Sequence, residues 1–202
     1  MHIGMDFDNT IVNYDEVFYK YALVEKLIPV NMTVSKNQIR DYIRKLPEGN
    51  DVWTRLQGLV YGERMNETVF EKGADKFIRK CRRENIKLSI ISHKTEFDAS
   101  GRGINLREPA MKWMRDNKFF ADKGLGFREG DVFFESTREA KIARITKRGC
   151  THFIDDLIDV FEEETFPSGV VKMYYNPKGN ASRPDVTEFS VWDEIYEYFF
   201  GN

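Results

Sequence analysis

Two aspartates close a short apolar segment near the start of the chain, in the run Ile3-Gly4-Met5-Asp6-Phe7-Asp8-Asn9-Thr10. Residues two apart on a strand share a face, so Asp6 and Asp8 can approach the same ligand. Neighbouring carboxylates repel each other, and a divalent cation relieves the repulsion. Hard oxygen donors of this kind favour Mg²⁺. An Asp-rich strand end can instead start a turn, with Asn9 and Thr10 capping the next segment.

Three further segments place polar groups beside predicted strand ends. Ser92 follows an apolar run, Lys141 lies near the start of a predicted helix, and Asp155 and Asp156 follow another apolar run. Ligands bind at the carboxyl ends of parallel strands, so these groups are predicted to meet at one edge of a sheet. Taken alone, such a serine is usually a cap and such a lysine is usually solvated. Together with Asp6 and Asp8 they indicate a phosphoryl-transfer site.

The elements that must position these groups alternate between short apolar runs and amphipathic stretches. Strands separated by helices predict a parallel, doubly wound α/β sheet with right-handed crossovers. The predicted strands are Ile3–Phe7, Ile86–Ile91, Val132–Phe134, His152–Ile154 and Val170–Tyr174. The predicted helices are Ala74–Glu84, Arg107–Asn117, Glu139–Lys147, Leu157–Glu164 and Val191–Phe199. The most loop-like stretches are Phe97–Asn105, Asp122–Gly130 and Asn176–Pro184.

The segment between the first strand and Ala74 shows no convincing strand and is predicted to be helical. A first helix is expected over Tyr14–Ile28, a second from a cap at Thr33 or Ser35 to Leu46, and a third over Val52–Val60. The expected apolar stripes are Val17, Tyr21, Val24 and Ile28 on the first helix and Trp53, Leu56 and Val60 on the third. This pattern predicts a small helical domain inserted into the α/β domain.

Composition restricts the classes of partner. The chain has 202 residues, a formal net charge of -2 and a sequence pI of about 6.0, so neither nucleic acid nor an anionic membrane is expected to bind it. Cys81 and Cys150 have no metal-type spacing, which disfavours a zinc site or a disulfide framework. No signal-peptide pattern and no run approaching ~18 apolar residues is present. A cytoplasmic protein is expected.

In order and context, these groups resemble the four motifs of the haloacid dehalogenase (HAD) superfamily phosphohydrolases, from Asp6 to Asp156. The resemblance implies a Rossmann-like (HAD-type) core, a parallel sheet flanked by helices, over residues 1–12 and 72–202. It also implies that residues 13–71 form a small inserted all-helical cap, of the type called C1, which closes over the site.

The resemblance gives roles to the motif residues. Asp6 would be the nucleophile that becomes an aspartyl phosphate, and Asp8 would be the general acid and base. An aspartate at this second position disfavours dehalogenation. Thr10, Ser92 and Lys141 would complete the phosphate-binding set: Thr10 stabilises the motif turn, Ser92 binds a phosphoryl oxygen and Lys141 neutralises charge.

The same resemblance implies a Mg²⁺ cofactor. Its ligands would be Asp6, the backbone carbonyl of Asp8, and Asp156, with Asp155 holding a metal-bound water or Lys141. The two roles can also be reversed, with Asp155 as the direct metal ligand and Asp156 holding the water or the lysine.

Substrate contacts are less constrained by the pattern. His93 and Lys94 directly follow the motif serine and are predicted to lie near the phosphate, although His93 serves equally well as a turn residue. In the helical segment, Arg55 and Gln57 are candidate substrate contacts. Arg64 is either a further contact of this kind or a solvated side chain.

These observations predict a Mg²⁺-dependent phosphomonoesterase that acts on a small soluble phosphorylated metabolite such as a sugar phosphate or nucleoside monophosphate. One alternative is phosphotransfer to a second hydroxyl, as in a mutase, which uses the same motifs. A second is a catalytically silent member that binds phosphate or a partner. A receiver-like phosphoacceptor module is disfavoured because the Asp-x-Asp pair comes first in this chain. The sequence does not predict the oligomeric state.

Overall fold

A computed structural model describes residues 1–177, 179 and 184–201 of the chain. The chain divides into two compact units. The first comprises Met1–Val12, Phe70–Lys94 and the described residues from Asn117 onward, and the second comprises Asn13–Val69 and Thr95–Asp116. Within the predicted loop Asn176–Pro184, residues 178 and 180–183 lie outside the described part.

The first unit is built on a six-stranded sheet. In chain order the strands are β1 (His2–Met5), β2 (Val12–Asn13), β3 (Val69–Phe70), β4 (Lys87–His93), β5 (Val132–Glu135), β6 (His152–Asp155), β7 (Val171–Tyr175) and β8 (Thr187–Phe189). Strands β2 and β3 pair with each other, and the other six form one sheet in the order β5-β4-β1-β6-β7-β8. All neighbours in this sheet are parallel. The chain winds outward from β1 in both directions, so a crevice for ligands opens between the ends of β1 and β6.

The helices in chain order are α1 (Asp15–Val24), α2 (Lys36–Ile43), α3 (Gly49–Gly58), α4 (Ala74–Arg83), α5 (Arg107–Asp116), α6 (Arg138–Arg148), α7 (Ile158–Glu162) and α8 (Trp192–Phe200). A π-helical turn, Leu59–Glu63, continues α3, and 3₁₀ turns cover Met65–Glu67 and Glu129–Asp131. Across residues 1–177, 179 and 184–201, no helix combines the length and the apolar character needed to cross a membrane.

Both faces of the six-stranded sheet are buried. Ile91 of β4 and Phe153 of β6 pack in one apolar cluster with Ile142 of α6. Side chains alternate along a strand, so the fully buried Ile90 and Ile154 face the opposite side. Burial on both faces is typical of parallel sheets whose crossovers are helices. The predicted fold class, a Rossmann-like parallel sheet flanked by helices, is confirmed.

Gly4 lies within β1 where a larger residue does not fit. A Cβ at this position would lie 2.5 Å from Phe153 Cδ2 and 3.0 Å from Cys150 Sγ. We expect Gly4→Ala to lower the free energy of unfolding by about 1–3 kcal/mol, because the packed core must shift. Urea unfolding measures the loss. Gly130→Ala is the matched control, since its new Cβ would have nothing within 4 Å. Equal stability of both variants would contradict the expectation.

A polar network lies at the amino end of the same strands, centred on His2. Its Nε2 lies 2.9 Å from Ser89 Oγ and its Nδ1 lies 2.9 Å from the carbonyl oxygen of Arg148. Burial lowers the pKa of His2. The Arg148 carbonyl opposes the shift, the charges of Lys87 and Arg148 add to it, and Asp131 opposes it weakly. The folded protein therefore favours the neutral imidazole.

The His2 shift predicts a loss of stability in mild acid. The unfolded chain binds a proton near the ordinary histidine pKa of about 6.5 and the folded chain resists it, so stability falls as the pH decreases below that value. We expect His2→Gln to weaken this pH dependence. Burial also lowers the pKa of His152, which leaves part of the dependence in place. Urea unfolding of both proteins at about pH 7.5 and about pH 5.5 measures the difference. Identical pH slopes would show that His2 makes no contribution.

The second unit confirms one predicted helical stripe and corrects another. Trp53, Leu56 and Val60 are all buried, as predicted. Helix α1 ends at Val24, short of the predicted Ile28, because Lys26 adopts a left-handed φ of 56°. Val24 is 63% exposed, so its predicted place in the apolar stripe is wrong. The buried side chains of α1 are instead Val17, Phe18 and Ala22.

Residues 95–116, which the domain prediction placed in the α/β core, belong to this second unit. Asp98 organises their first loop: its Oδ1 accepts a hydrogen bond from Ile104 N at 3.0 Å, and its own N–H donates to the Ile104 carbonyl at 2.9 Å. Gly58 and Gly62 allow α3 and its π-helical turn to approach this loop. A Cβ at Gly62 would lie 2.4 Å from Ile104 Cγ2, and one at Gly58 would lie 2.9 Å from Asp98 Oδ2. That these helices act as a cap over a site stays a prediction.

Candidate active site

The carboxyl end of β1 delivers the two motif aspartates by different means. Asp6 extends the pairing of the strand, because its N–H donates to the Ile154 carbonyl at 2.9 Å beside the end of β6. The chain then turns tightly. The N–H groups of Ile11 and Val12 donate to the Phe7 carbonyl at 3.0 and 3.1 Å, and Asn9 has a left-handed φ of 60°. Asp8 therefore lies on a turn beyond β1. The strand ends at Met5, and the regular alternation of side chains between the two faces of the sheet ends with it. Its charge still acts on Asp6.

Lys141 lies between the carboxylates of Asp6 and Asp155. Helix α6 begins soon after β5, with Thr137 as its N-cap accepting a hydrogen bond from Ala140 N at 3.1 Å. One turn into the helix, Lys141 Nζ contacts Asp6 Oδ1 and Asp155 Oδ2, each at 2.6 Å. All three side chains are buried. The ammonium group joins the ends of the two strands that border the crevice.

The electrostatics of this group favour additional positive charge. Burial works to lower the pKa of Lys141, but Asp155 and Asp6 outweigh it, and the pKa lies above its ordinary range. Burial raises the pKa of Asp6; Lys141 opposes the shift, Asp155 and Asp8 add to it, and the result is a pKa of about 6. The lysine thus remains charged, yet it does not fully compensate the crowded carboxylates. A bound cation would do so.

The acid pair after β6 completes a candidate metal site. Asp6, Asp155 and Asp156 each offer one carboxylate oxygen, and these atoms lie within 4.8 Å of one another. Asp155 is wholly buried with Oδ2 against Lys141, whereas Asp156 is half-buried and accepts a hydrogen bond from Thr10 Oγ1 at 3.4 Å. The donors are all oxygens, which fits a hard divalent cation.

The end of β4 contributes three consecutive residues that alternate in orientation. Ser92 is buried, and in the described part of the chain its Oγ has no hydrogen-bond partner. His93 is exposed and its Nε2 lies 3.2 Å from the Ser136 carbonyl oxygen. Lys94 is buried again and its Nζ lies 2.8 Å from Asp8 Oδ2. A buried hydroxyl without a partner is costly, so Ser92 is suited to a ligand oxygen.

The sequence matches no protein-family model and no curated protein. Solved structures do match along nearly the whole chain. A predicted phosphatase from Clostridium acetobutylicum has a TM-score of 0.60 at 14% identity, with 100% of this chain and 98% of that one covered. A HAD family hydrolase from Deinococcus radiodurans R1, with bound phosphate and sodium, has a TM-score of 0.60 at 12% identity over 98% and 94% of the two chains. The putative HAD-hydrolase YfnB from Bacillus subtilis, bound to magnesium, has a TM-score of 0.56 at 14% identity over 98% of each.

The chain has the fold of the HAD-superfamily hydrolases. The resemblance inferred from the motifs is confirmed at the level of fold. In this HAD-type sheet the motif residues stand at the carboxyl edge, as their positions after apolar runs predict. The structure brings together Asp6, Asp8, Thr10, Lys94, Lys141, Asp155 and Asp156. Ser92 lies at the carboxyl end of β4, the strand next to β1.

Two of the predicted substrate contacts lie outside the first unit. Arg55 and Gln57 lie on α3 in the second unit. Arg55 lines a cavity of about 290 Å³ within that unit, together with Arg102 and Glu63. Their contact with a substrate stays a prediction, as does that of His93.

Sequence reasoning missed the ion pair between Lys94 and Asp8. It placed both residues near the phosphate but gave no reason for them to contact each other. The available signal was the spacing in Ser92-His93-Lys94, which puts the first and third side chains on one side of an extended segment. The turn that carries Asp8 toward Lys94 has no comparable signature.

Proposed function

We propose that this chain is a Mg²⁺-dependent phosphatase that hydrolyses monoesters of small phosphorylated metabolites, with sugar phosphates and nucleoside monophosphates as the leading classes. The observation that carries the proposal is the buried contact of 2.6 Å between Asp6 and Lys141 at the end of the central strand. A carboxylate held by an ammonium group at the switch point of an α/β sheet is suited to attack a phosphorus atom there.

The first half of the reaction transfers the phosphoryl group to Asp6. A carboxylate oxygen of Asp6 forms a bond to phosphorus, and the bond from phosphorus to the ester oxygen breaks. Asp8 gives its proton to that leaving oxygen, so the alcohol departs neutral. Lys141 and Ser92 stabilise the negative charge on the phosphoryl oxygens.

The second half releases phosphate. A water oxygen attacks phosphorus, Asp8 takes a proton from that water, and the bond from phosphorus to Asp6 breaks. Inorganic phosphate leaves, Asp6 is again a free carboxylate, and Asp8 carries the proton taken from water, so both are ready for the next substrate. One aspartate thus serves as acid and then as base, which matches its place beside the nucleophile.

The metal-binding part of the proposal rests on the donor set. Asp6, Asp156 and the backbone carbonyl of Asp8 would hold Mg²⁺, while Asp155 is turned toward Lys141. The site gathers four carboxylates against the two ammonium groups of Lys94 and Lys141. When bound, the cation neutralises this excess and the charge of the phosphate. Magnesium in the B. subtilis neighbour and phosphate in the D. radiodurans neighbour are consistent with the proposal.

A phosphate-release screen tests the proposal. The protein is incubated with a panel of sugar phosphates and nucleoside monophosphates, in Mg²⁺ and in EDTA. Release that needs Mg²⁺ supports the phosphatase, and the best substrate defines its class. Repeating the assay with an added sugar acceptor separates hydrolysis from phosphotransfer, because a mutase-like enzyme would form a new phosphate ester. A folded protein that releases and transfers no phosphate would contradict the proposal.

A further inference from the structure

The site holds a second buried lysine, which the phosphoryl-transfer steps above do not use. Lys94 Nζ lies 2.8 Å from Asp8 Oδ2, and its side chain is 2% exposed. The Asp8 side chain is 17% exposed. Burying an ammonium group is costly unless a partner compensates its charge, and the Asp8 carboxylate does so here. Its partner is the aspartate that exchanges protons, whereas Lys141 contacts the nucleophile.

The sheet fixes the backbone from which Lys94 extends. Its N–H donates to the Glu135 carbonyl at 2.9 Å, which continues the pairing of β4 with β5 by one residue. Ser92 and Lys94 are two residues apart, so both side chains leave the same side of the extended segment. The ammonium group therefore starts from a rigid element of the fold.

Asp8, in contrast, extends from the tight turn that follows β1. Its backbone makes an isolated bridge with Val12, and the next residue, Asn9, is left-handed. A proton-transfer group must lie within hydrogen-bond reach of the oxygen it serves. The Lys94 ion pair holds Oδ2 of Asp8 at 2.8 Å and thereby restricts the orientation of the carboxylate.

We infer that Lys94 is a positioning residue that orients the Asp8 carboxylate toward the leaving-group oxygen. This inference rests on the proposed function and adds a role for Lys94 that differs from direct phosphate binding. A phosphate-binding lysine would contribute equally to every phosphate ester. A lysine that orients the general acid contributes most where the leaving group needs a proton.

Two substrates with different leaving groups separate these roles. The alkoxide of a sugar phosphate is a poor leaving group that needs the proton of Asp8, whereas p-nitrophenolate departs without one. In Lys94→Met, which keeps the length of the side chain and removes its charge, we expect kcat/KM for the best sugar phosphate or other alkyl phosphate to fall by about 100-fold. The kcat/KM for p-nitrophenyl phosphate should fall by less than about fivefold, because kcat/KM reports the steps up to departure of the leaving group and leaves out the later hydrolysis, in which Asp8 acts on water for every substrate. The ratio of the two rates does not depend on how much of the sample is folded.

Two further variants complete the experiment. Lys76→Met makes the same substitution at an exposed lysine, which pairs with Asp193 at 2.9 Å on the surface, and should leave both rates unchanged. Lys94→Arg keeps the charge and should recover part of the alkyl phosphate rate. Thermal unfolding of each variant shows whether the fold is retained.

The outcomes distinguish this inference from the function on which it rests. Equal loss of kcat/KM for both substrates in Lys94→Met would overturn the positioning role in favour of phosphate binding or structure. An unchanged ratio with full activity would also overturn it. A wild-type protein that hydrolyses neither substrate would instead overturn the proposed function, and this inference with it.

Discussion

Replacing Asp6 by Asn is expected to lower the rate of phosphate release by at least about 10⁴-fold, because the amide cannot serve as the nucleophile. The side chain keeps its size, and Lys141 keeps Asp155 as a partner at 2.6 Å. The fold should therefore persist, and the lost activity reports on chemistry. Initial rates on the best substrate from the screen, in saturating Mg²⁺, measure the effect.

The matched control is Asp159→Asn, which makes the same substitution at the start of α7. Asp159 is exposed and pairs with Arg138 at 3.3 Å, and it is not one of the three aspartates whose oxygens cluster. Its variant should retain the wild-type rate. Acid quenching of wild-type protein with labelled substrate should also trap an aspartyl phosphate that Asp6→Asn does not form. An active Asp6→Asn protein would show that the nucleophile is another group.

Replacing Lys141 by Met is expected to cause the largest loss of stability, about 3–5 kcal/mol in the free energy of unfolding. The substitution leaves Asp6 and Asp155 buried side by side without the ammonium group that now lies 2.6 Å from each. Removing one partner of a buried charge cluster leaves the other charges uncompensated. Urea unfolding in EDTA measures the change without the contribution of a bound cation.

Two companion variants make this result specific. Lys172→Met removes a lysine that pairs with the exposed Asp185 at 3.1 Å, and should cost less than about 1 kcal/mol. Adding Asp155→Asn to Lys141→Met removes one of the uncompensated charges and should restore part of the loss. If Lys141→Met were as stable as Lys172→Met, the buried carboxylates would have to be neutral in the folded protein.

The sequence was sufficient for five of the six strands of the sheet and for the edge at which the site lies. Parallel strands buried on both faces are largely apolar, so runs such as Ile86–Ile91, with four apolar residues in six, mark them. Polar residues that directly follow such runs, such as Asp6, Ser92 and Asp155, must then emerge at the carboxyl edge. These positions depend on local pattern and on the topology of parallel sheets, and both can be read from one chain.

Features that depend on contacts distant in sequence were missed. Strand β8, Thr187–Phe189, has three residues at the sheet edge and lacks the long apolar run of a central strand. The pair β2 and β3 is shorter still. Residues 95–116 join the helical unit through the hydrogen bond from Trp113 Nε1 to the Thr68 carbonyl at 3.2 Å and through close packing against Gly58 and Gly62, which no periodicity encodes. The ion pair of Lys94 with Asp8 requires the geometry of the turn after β1.

The indole of Trp192 connects the last helix to the acid cluster. Its Nε1 donates to the Thr10 carbonyl at 2.9 Å, and Thr10 Oγ1 in turn donates to Asp156. The other two tryptophans, Trp53 and Trp113, lie in the second unit. Phenylalanine at those two positions would leave Trp192 as the sole source of tryptophan emission. The chain then carries an intrinsic fluorophore one residue removed from the acid cluster, so the arrival of a cation or phosphate can be followed optically, without a label and without turnover.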